Sequence, residues 1–418
     1  MTVAVTGLLL AACGNPDAGD PTVSVVERDS AGITVVEILA DPRAVPRALL
    51  KETELVISGE APPYFGQLGD ARWLADGTIA VADRQADRVF VFGQDGRLLR
   101  TLGRSGSGPG EFTNIRGLYP KGDSLLVHDL GQDRLTLFAP EGGVVRTVPL
   151  PKTVTEDEYE RYYAMAPVAG GGMVGYRLHN DYGQEVELAP YARLLRNQAI
   201  ISRHDGSGTP IPGPEIRFPG SKSVAMTPGG GRFMDIGVPF AGRPLVDVTP
   251  HRVVYGHGDR YQYTLAGPDL RPRRVVRWPA AARPLTQEEV ERLRSLQDSI
   301  WSPYMSRETI RDIHAVLFGP ELVPETRPAL QELRVDPIGR VWAGRWEASN
   351  DTAPLFFVHD PAGQPLFSVR LPVGSELADV SRDRVLLITR DSLDVESLVI
   401  RRVAAPATTP EPGSPTDG

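Results

Sequence analysis

Short apolar segments separated by turn residues recur along the chain, and two neighbouring stretches repeat one unit. The stretch from Ala82 to Phe92 matches the stretch from His128 to Phe138 at a constant offset of 46 residues. The alternation of apolar and polar positions in the first unit predicts four strands joined by short turns, at residues 71–74, 78–82, 88–92 and 98–102. Four strands in a repeat of roughly 40 to 50 residues are typical of one propeller blade.

Later units diverge in sequence but keep the strand, turn, strand pattern. The last unit has only three strands. The apolar segment 52–57 is its expected fourth strand, because this pairing joins the two ends of the chain in one sheet and leaves no open edge. We therefore predict an all-β, six-bladed β-propeller of four-stranded antiparallel blades over residues 52–403, with seven blades as the alternative. Blades three to six are expected at residues 163–203, 232–278, 328–371 and 376–403.

A helical insertion at residues 286–318 interrupts the strand pattern between blades four and five. Thr286 and Glu289 have the spacing of a capping box. The apolar residues that follow at helical spacing predict one amphipathic helix to about residue 301 and a second over 307–318: Val290, Leu293, Leu296 and Ile300, then Ile310, Ile313 and Leu317. Three roles stay open for this pair, namely covering one mouth of the channel, docking a partner, or packing on the flank of the propeller.

The two ends of the chain lie outside the repeat. The apolar run 3–12 leads into Leu10-Ala11-Ala12-Cys13, a sequence that resembles the bacterial lipobox. The resemblance implies a lipoprotein signal peptide and lipobox at 1–13, with Cys13 lipidated. Because no Lys or Arg precedes the run, a buried N-terminal strand is the alternative. Residues 14–51 are expected to be a tether and leading strands, and residues 404–418, rich in Pro and Thr, a disordered tail.

Composition narrows the classes of partner. The formal net charge is −8 and no long basic run is present, which argues against nucleic acid as a partner. The one local basic cluster alternates with apolar residues, as the solvent face of a strand does: Arg271, Arg273, Arg274 and Arg277. Cys13 is the only cysteine, so the chain forms no internal disulfide bond and no cysteine-based metal site.

A glycine-rich motif carries a resemblance to a known type of propeller. It runs from Gly103 to Phe112, and the repeated Asp83 and Asp87-Arg88-Val89 precede it. Together these segments resemble NHL-repeat-like six-bladed β-propellers, including bacterial lipoproteins of that type. The resemblance implies the fold but not the chemistry, because propellers of this type include binding modules, lyases and lactonases.

Three residues are candidates for a metal site. Asp83 and Asp129 occupy equivalent strand ends in two blades, where a ring of carboxylates is one way to bind Ca²⁺. The alternative is that each Asp accepts hydrogen bonds from its own turn. His257 is a further candidate if it converges with His251 across a hairpin. No catalytic residue is predicted, and no cofactor is expected apart from a possible Ca²⁺.

The leading functional hypothesis is a non-enzymatic lipoprotein of the cell envelope, periplasmic or on the outer surface, whose propeller binds a small molecule or a protein. Its membrane contact is the lipid on Cys13. One alternative is a propeller hydrolase or lyase with a divalent metal at the channel mouth. Another is a scaffold subunit that docks a partner through residues 286–318.

Overall fold

The computed structural model describes residues 23–59, 62–155, 158–181, 185–231, 233–347 and 352–406. Two leading strands, β1 and β2, form a hairpin, and a third, β3, follows after a short 3₁₀ helix at Pro42–Ala44. Their bounds are β1 Val25–Ser30, β2 Ile33–Ile38 and β3 Leu49–Ser58.

Blades one and two are the regular copies that the repeat predicts. Blade one contains β4 Leu68–Trp73, β5 Ile79–Asp83, β6 Arg88–Phe92 and β7 Leu98–Leu102. A short parallel pair, β8 Arg104–Ser105 and β9 Glu111–Phe112, links the blades. Blade two contains β10 Ile115–Lys121, β11 Ser124–Asp129, β12 Arg134–Phe138 and β13 Val144–Pro149.

Blade three is larger than predicted, since its sheet has seven strands and extends well beyond residue 203. Periodicity missed this extension because strands of 11 and 13 residues replace the short strands of the repeat. The strands are β14 Lys152–Val154, β15 Glu158–Pro167, β16 Met173–Asp181, β17 Val186–Ala189, β18 Ala192–His204, β19 Ile216–Met226 and β20 Met234–Gly237; a 3₁₀ helix spans Pro228–Gly230.

Blade four starts later than predicted and carries the leading hairpin on its outer edge. Its own strands are β21 Pro244–Thr249, β22 Arg252–His257, β23 Gln262–Ala266 and β24 Pro272–Arg277, with a 3₁₀ helix at Pro279–Ala281. β2 pairs with β24 in parallel, and Val36 and Ile38 of β2 are fully buried there. The leading strands are therefore part of the propeller rather than of a tether.

Two helices follow blade four in the chain, as predicted: α1 Gln287–Trp301 and α2 Arg307–Leu317. Thr286 and Glu289 form the expected capping box. The pair packs on the flank of blade three, where Ile313 and Leu317 join the core formed by β18 and β19. The apolar stripe of α1 is only partly covered, because Leu296 and Ile300 are each more than half exposed.

Blades five and six complete the ring. Blade five contains β25 Leu330–Val335, β26 Val341–Arg345, β27 Leu355–His359 and β28 Pro365–Arg370. Blade six contains β29 Ser375–Val380, β30 Arg384–Arg390, β31 Glu396–Ala404 and, as its outer strand, β3 from the start of the chain. The first strands of the six blades contact one another in a closed cycle, from β4 through β10, β15, β21, β25 and β29 back to β4. The prediction that 52–57 closes the ring is confirmed, with a longer strand.

The closing strand β3, which pairs with β31, buries only one of its two faces. Ile57 is 7% exposed in the core between blades six and one, whereas its neighbour Val56 points outward and is 52% exposed. We predict that Ile57→Ala lowers the free energy of unfolding by about 2 to 4 kcal/mol through the cavity it leaves. Val56→Ala is the matched control and should cost under about 1 kcal/mol. Denaturant unfolding measures both, and equal effects would contradict the assigned register of the closing strand.

Candidate functional site

The central channel opens into a pocket on the side of the ring that carries the turns between the first and second strands of the blades. We call this side the pocket face. The pocket has a volume of about 920 Å³, and residues from all six blades line it. Its rim is largely apolar and rich in proline, with Leu74, Pro120, Pro167, Val248, Pro250 and Pro337.

Charged side chains of the first strands lie in the channel beneath this pocket, and Arg72, Asp247 and Asp379 among them line it. Arg72 of blade one lies between two carboxylates, with its Nε 3.3 Å from Oδ1 of Asp70 and its Nη1 3.6 Å from Oδ1 of Asp379. Arg334 of blade five donates from Nε to Glu332, at 2.8 Å. The phenol of Tyr119 lies among these groups, close enough to Asp70 and Arg72 to respond to their charges.

Three carboxylates of the channel also join neighbouring blades. Asp70 accepts a hydrogen bond from the backbone N–H of Leu118 at 2.9 Å, which links blade one to blade two. Asp379 does the same for Trp73 at 3.0 Å, and Asp247 for Val335 at 2.7 Å. Each bond uses one oxygen of the carboxylate, so the other oxygen is left for a second partner.

Burial and charge shift the pKa values of these groups in directions that follow from the geometry. Burial alone would lower the pKa of Arg72, but Asp70, Asp379 and Asp247 together raise it above its ordinary value. Burial raises the pKa of Asp379, and Arg72 partly offsets that rise. Burial, together with Asp70, raises the pKa of Tyr119 to about 12. Arg72 is therefore a permanent cation, and Tyr119 stays a neutral phenol at pH 7.

The structure does not bring Asp83, Asp129 and His257 together. Asp83 is fully buried and accepts backbone hydrogen bonds from Gly66, Gln67, Gln85 and Ala86. Asp129 is also fully buried and accepts from Thr113, Asn114 and Gly131.

Each of these two carboxylates thus ties the turn after its own strand to the segment entering the blade. The Nε2 of His257 lies 3.1 Å from the backbone oxygen of Gly220, and its Nδ1 lies 3.3 Å from Oδ2 of Asp259. His251 is exposed, and the structure shows no contact between it and His257.

One group within the described residues has the spacing of metal ligands: Glu158, Glu160 and His179 on β15 and β16, with ligand atoms within 4.8 Å of one another. Arg177 already pairs with Glu160, with its Nε 3.1 Å from Oε2. Ca²⁺ prefers six to eight oxygen ligands, and this group offers two carboxylates and a ring nitrogen. None of the three residues lines the channel pocket.

Two predictions made from the sequence concern segments outside the described residues. Cys13 with its lipobox lies in residues 1–22, and most of the predicted tail lies in residues 407–418. The last strand, β31, includes Ala404, the first residue of that tail. Neither helix in the described part of the chain is long and apolar enough to cross a membrane.

The sequence contained one overlooked signal for the channel floor. Charged residues recur in the first strands, and those of the channel include Asp70, Arg72, Asp247, Arg334 and Asp379. Asp70, Asp247 and Asp379 share one role, since each accepts a hydrogen bond from the backbone of the next blade. Their convergence was not predictable, because they come from four different blades.

Comparisons with known proteins agree with this architecture. The model of the DUF5128 family, described as a 6-bladed beta-propeller, matches residues 65–159. The chain is a six-bladed β-propeller. No curated protein matches the sequence. The NHL-repeat resemblance and the lipoprotein type remain predictions.

Solved structures of similar shape are distant in sequence. A streptogramin B lyase is 10% identical with a TM-score of 0.42, covering 85% of this chain and 98% of that chain. A member of the DUF4221 family from Bacteroides vulgatus is 9% identical, with a TM-score of 0.40 and coverage of 93% and 100%. The calcium-binding protein regucalcin from Agrobacterium tumefaciens is 9% identical, with a TM-score of 0.35 and coverage of 85% and 96%. Likenesses at this level carry no argument about activity.

A buried histidine makes the stability of blade two depend on pH. His128 is fully buried on β11, and neither ring nitrogen has a hydrogen-bond partner within the described residues. Burial lowers its pKa from 6.5 to about 4. Because the unfolded chain binds the proton more readily between these values, the stability contributed by neutral His128 is complete above pH 6.5 and declines as the pH falls toward 4.

We predict that His128 removes about 2 kcal/mol of stability between pH 7 and pH 5. His128→Leu should flatten the pH dependence of the free energy of unfolding by that amount over this interval. His251→Leu, at an exposed position, is the matched control and should leave the slope unchanged. An unaltered slope in His128→Leu would show that this imidazole is not held neutral by burial.

Proposed function

We propose that the chain is a non-enzymatic binding module whose channel pocket takes a ligand with an apolar body and a cationic group. The observation that carries the proposal is the pocket of about 920 Å³, formed by all six blades. Ligand sites are typically concave, mostly apolar and provided with a few polar groups that fix orientation. The proline-rich rim and the charged floor have these properties.

Charge on the floor favours a cation. Three carboxylates and two guanidinium groups line the pocket, a formal net charge of one negative: Glu54, Asp247 and Asp379 against Arg72 and Arg384. The carboxylates of Asp70 and Asp379 are already shared with Arg72. Asp247 lines the pocket, and within the described residues its only hydrogen bond is the one from Val335. Its second oxygen is the natural acceptor for an ammonium group.

Side-chain hydroxyl groups on the pocket wall support binding rather than catalysis. Thr249 and Ser381 donate to backbone oxygens of Arg252 and Arg384, and no histidine is among the described residues that line the pocket. A hydroxyl nucleophile needs an adjacent base to become reactive. The hydrolase alternative therefore lacks a hydroxyl nucleophile paired with a histidine base among the described pocket residues.

The proposed location is the cell envelope, with the propeller outside the cytoplasm and held by a lipid on Cys13. The support is the lipobox-like sequence ending at Cys13. The first strand of the propeller, β1, begins at Val25, which is twelve residues after Cys13 in the sequence. Durable membrane binding requires two or more acyl chains, which a processed lipoprotein carries.

The pocket proposal predicts a preference among simple amphiphiles. Hexylamine should bind and raise the melting temperature more than hexanol or hexanoate at equal concentration, because only the amine pairs with Asp247. In Asp247→Asn the affinity for hexylamine should fall about tenfold or more, the effect of losing one charge-assisted hydrogen bond. Titration calorimetry measures the affinities.

The substitution is chosen to spare the fold, since the Asn amide oxygen still accepts the hydrogen bond from Val335. Asp123→Asn is the matched control, because Asp123 is exposed on the same face and outside the pocket lining. Equal binding of the three amphiphiles, or an unchanged affinity in Asp247→Asn, would refute the proposed cation preference.

The anchor has its own test. Cells expressing the chain and fed a labelled fatty acid should yield labelled protein in the membrane fraction, and Cys13→Ala should abolish both the label and the membrane association. Cys13→Ser is a second variant with a nearly unchanged shape. Label that persists in both variants would exclude lipidation at this residue.

A further inference from the structure

The channel end opposite the pocket is built on a shared irregularity of the first strands. In five of the six blades the first strand has a bulge, and that of blade six is at Ala378, beside the pocket residue Asp379. In blades one, two, three and five the bulge leaves Gly69, Arg116, Tyr163 and Gln331 without a partner on the second strand. Bulges of this kind turn side chains away from the sheet, here at the channel end away from the pocket face.

Two guanidinium groups lie at this end on neighbouring blades. In blade two the bulged residue is Arg116 itself. In blade one it is Gly69, and the side chain of Arg84 lies across the space that a Cβ atom would occupy there. The Nη2 of Arg84 donates to the backbone oxygen of Gly69 at 3.1 Å. The side chain of Arg84 thus lies at the bulge of blade one, the position that Arg116 occupies in blade two.

A third guanidinium group comes from blade four. Arg243 precedes β21 and donates from Nη2 to the backbone oxygen of the bulged Gln331, at 2.9 Å. Within the described residues, no carboxylate oxygen lies within 4.0 Å of a side-chain nitrogen of Arg84, Arg116 or Arg243. Glu376 of blade six, whose charge reaches Arg84, is itself paired with Arg390 at 3.4 Å.

None of these three guanidinium groups has a carboxylate partner of its own among the described residues. Burial lowers the pKa of Arg84 and the charge of Arg116 lowers it further, while the more distant charges of Asp70, Glu376 and Glu396 offset part of the fall. The Nε of Arg84 is buried without a hydrogen-bond partner in the described structure. A buried donor of this kind costs free energy unless a partner arrives. An anion between the two guanidinium groups would supply this partner.

Tyrosines form the adjoining wall of this channel end. The guanidinium carbon of Arg116 lies 6.0 Å from the ring centroid of Tyr163, and the rings of Tyr163 and Tyr176 are 6.4 Å apart. The hydroxyl groups of Tyr159 and Tyr163 are 2.9 Å apart. Burial raises the pKa of Tyr163 and of Tyr176, so both phenols stay protonated and able to donate. The wall offers hydrogen-bond donors and aromatic faces, and it adds no negative charge.

We propose that this end of the channel, which we call the arginine mouth (Arg84, Arg116, Arg243, Tyr163 and Tyr176), binds a small oxyanion, a carboxylate or a phosphate, between Arg84 and Arg116. Guanidinium groups match the planar geometry of carboxylates and the oxygens of phosphates through paired N–H donors. The site lies at the other end of the channel from the pocket and is independent of the amine site at Asp247.

Titration calorimetry with inorganic phosphate and with benzoate tests the arginine mouth. At least one of the two should bind the wild-type protein, and the affinity should fall as KCl is raised, because the attraction is between charges. Binding of phosphate alone assigns a phosphate ligand, binding of benzoate alone a carboxylate ligand, and binding of both a general oxyanion site.

Substitutions test whether the anion binds at the proposed residues. Arg116→Gln and Arg84→Gln should each weaken binding at least tenfold, and the double variant should abolish it. Arg97→Gln, at an exposed position of blade one, is the matched control and should bind as the wild type does. A cooperative thermal unfolding transition close to that of the wild type reports whether each variant is folded.

Three results would overturn the proposal: no binding of either anion to the wild type, full binding in the double variant, or an equal loss in Arg97→Gln. If Arg84→Gln fails to fold, the exposed Arg116 still provides the test. Because hexylamine and the anions are measured separately, failure of the arginine mouth is distinguishable from failure of the pocket.

Discussion

The pairing of β3 with β31 is the interaction on which the rest of the structure depends. It joins the first blade-forming strand of the chain to the last, so that six sheets form a ring without an open edge in blade six. Each blade then buries both faces against its neighbours, which lets a long chain fold around several small cores. The channel exists only because the ring is closed, and the two proposed binding sites lie at its two ends.

Charge within the channel has two roles that share the same residues. Asp70, Asp247 and Asp379 each bond to the backbone of the next blade, so they hold neighbouring first strands in position. Their remaining oxygens meet Arg72 or face the pocket. At the other end, no carboxylate in the described part of the chain forms an ion pair with Arg84 or Arg116. The channel is therefore polarised along its axis, with an excess of carboxylates beneath the pocket and an excess of guanidinium groups at the arginine mouth.

Local pattern was enough to predict the regular parts of this fold. The 46-residue register predicted blades one and two closely, and the capping box at Thr286 placed the start of α1 correctly. The size of blade three and the docking of β2 on β24 escaped prediction, because both depend on contacts between segments far apart in sequence. Both channel ends escaped prediction for the same reason. Arg72 pairs with Asp379 across the closure of the ring, and Arg84 lies over Gly69 because that residue has no Cβ. The repeat made Asp83 and Asp129 candidate metal ligands, but each carboxylate accepts backbone hydrogen bonds that hold its own turn in place.

A crystal structure of the propeller soaked with hexylamine tests the central claim most directly, because it shows both the closed channel and the chemistry of its pocket. We predict that hexylamine lies in the pocket, with its nitrogen within hydrogen-bond distance of Asp247 and its alkyl chain along the proline-rich rim. A pocket filled by the chain's own side chains, or an amine bound away from Asp247 at saturating concentration, would contradict it.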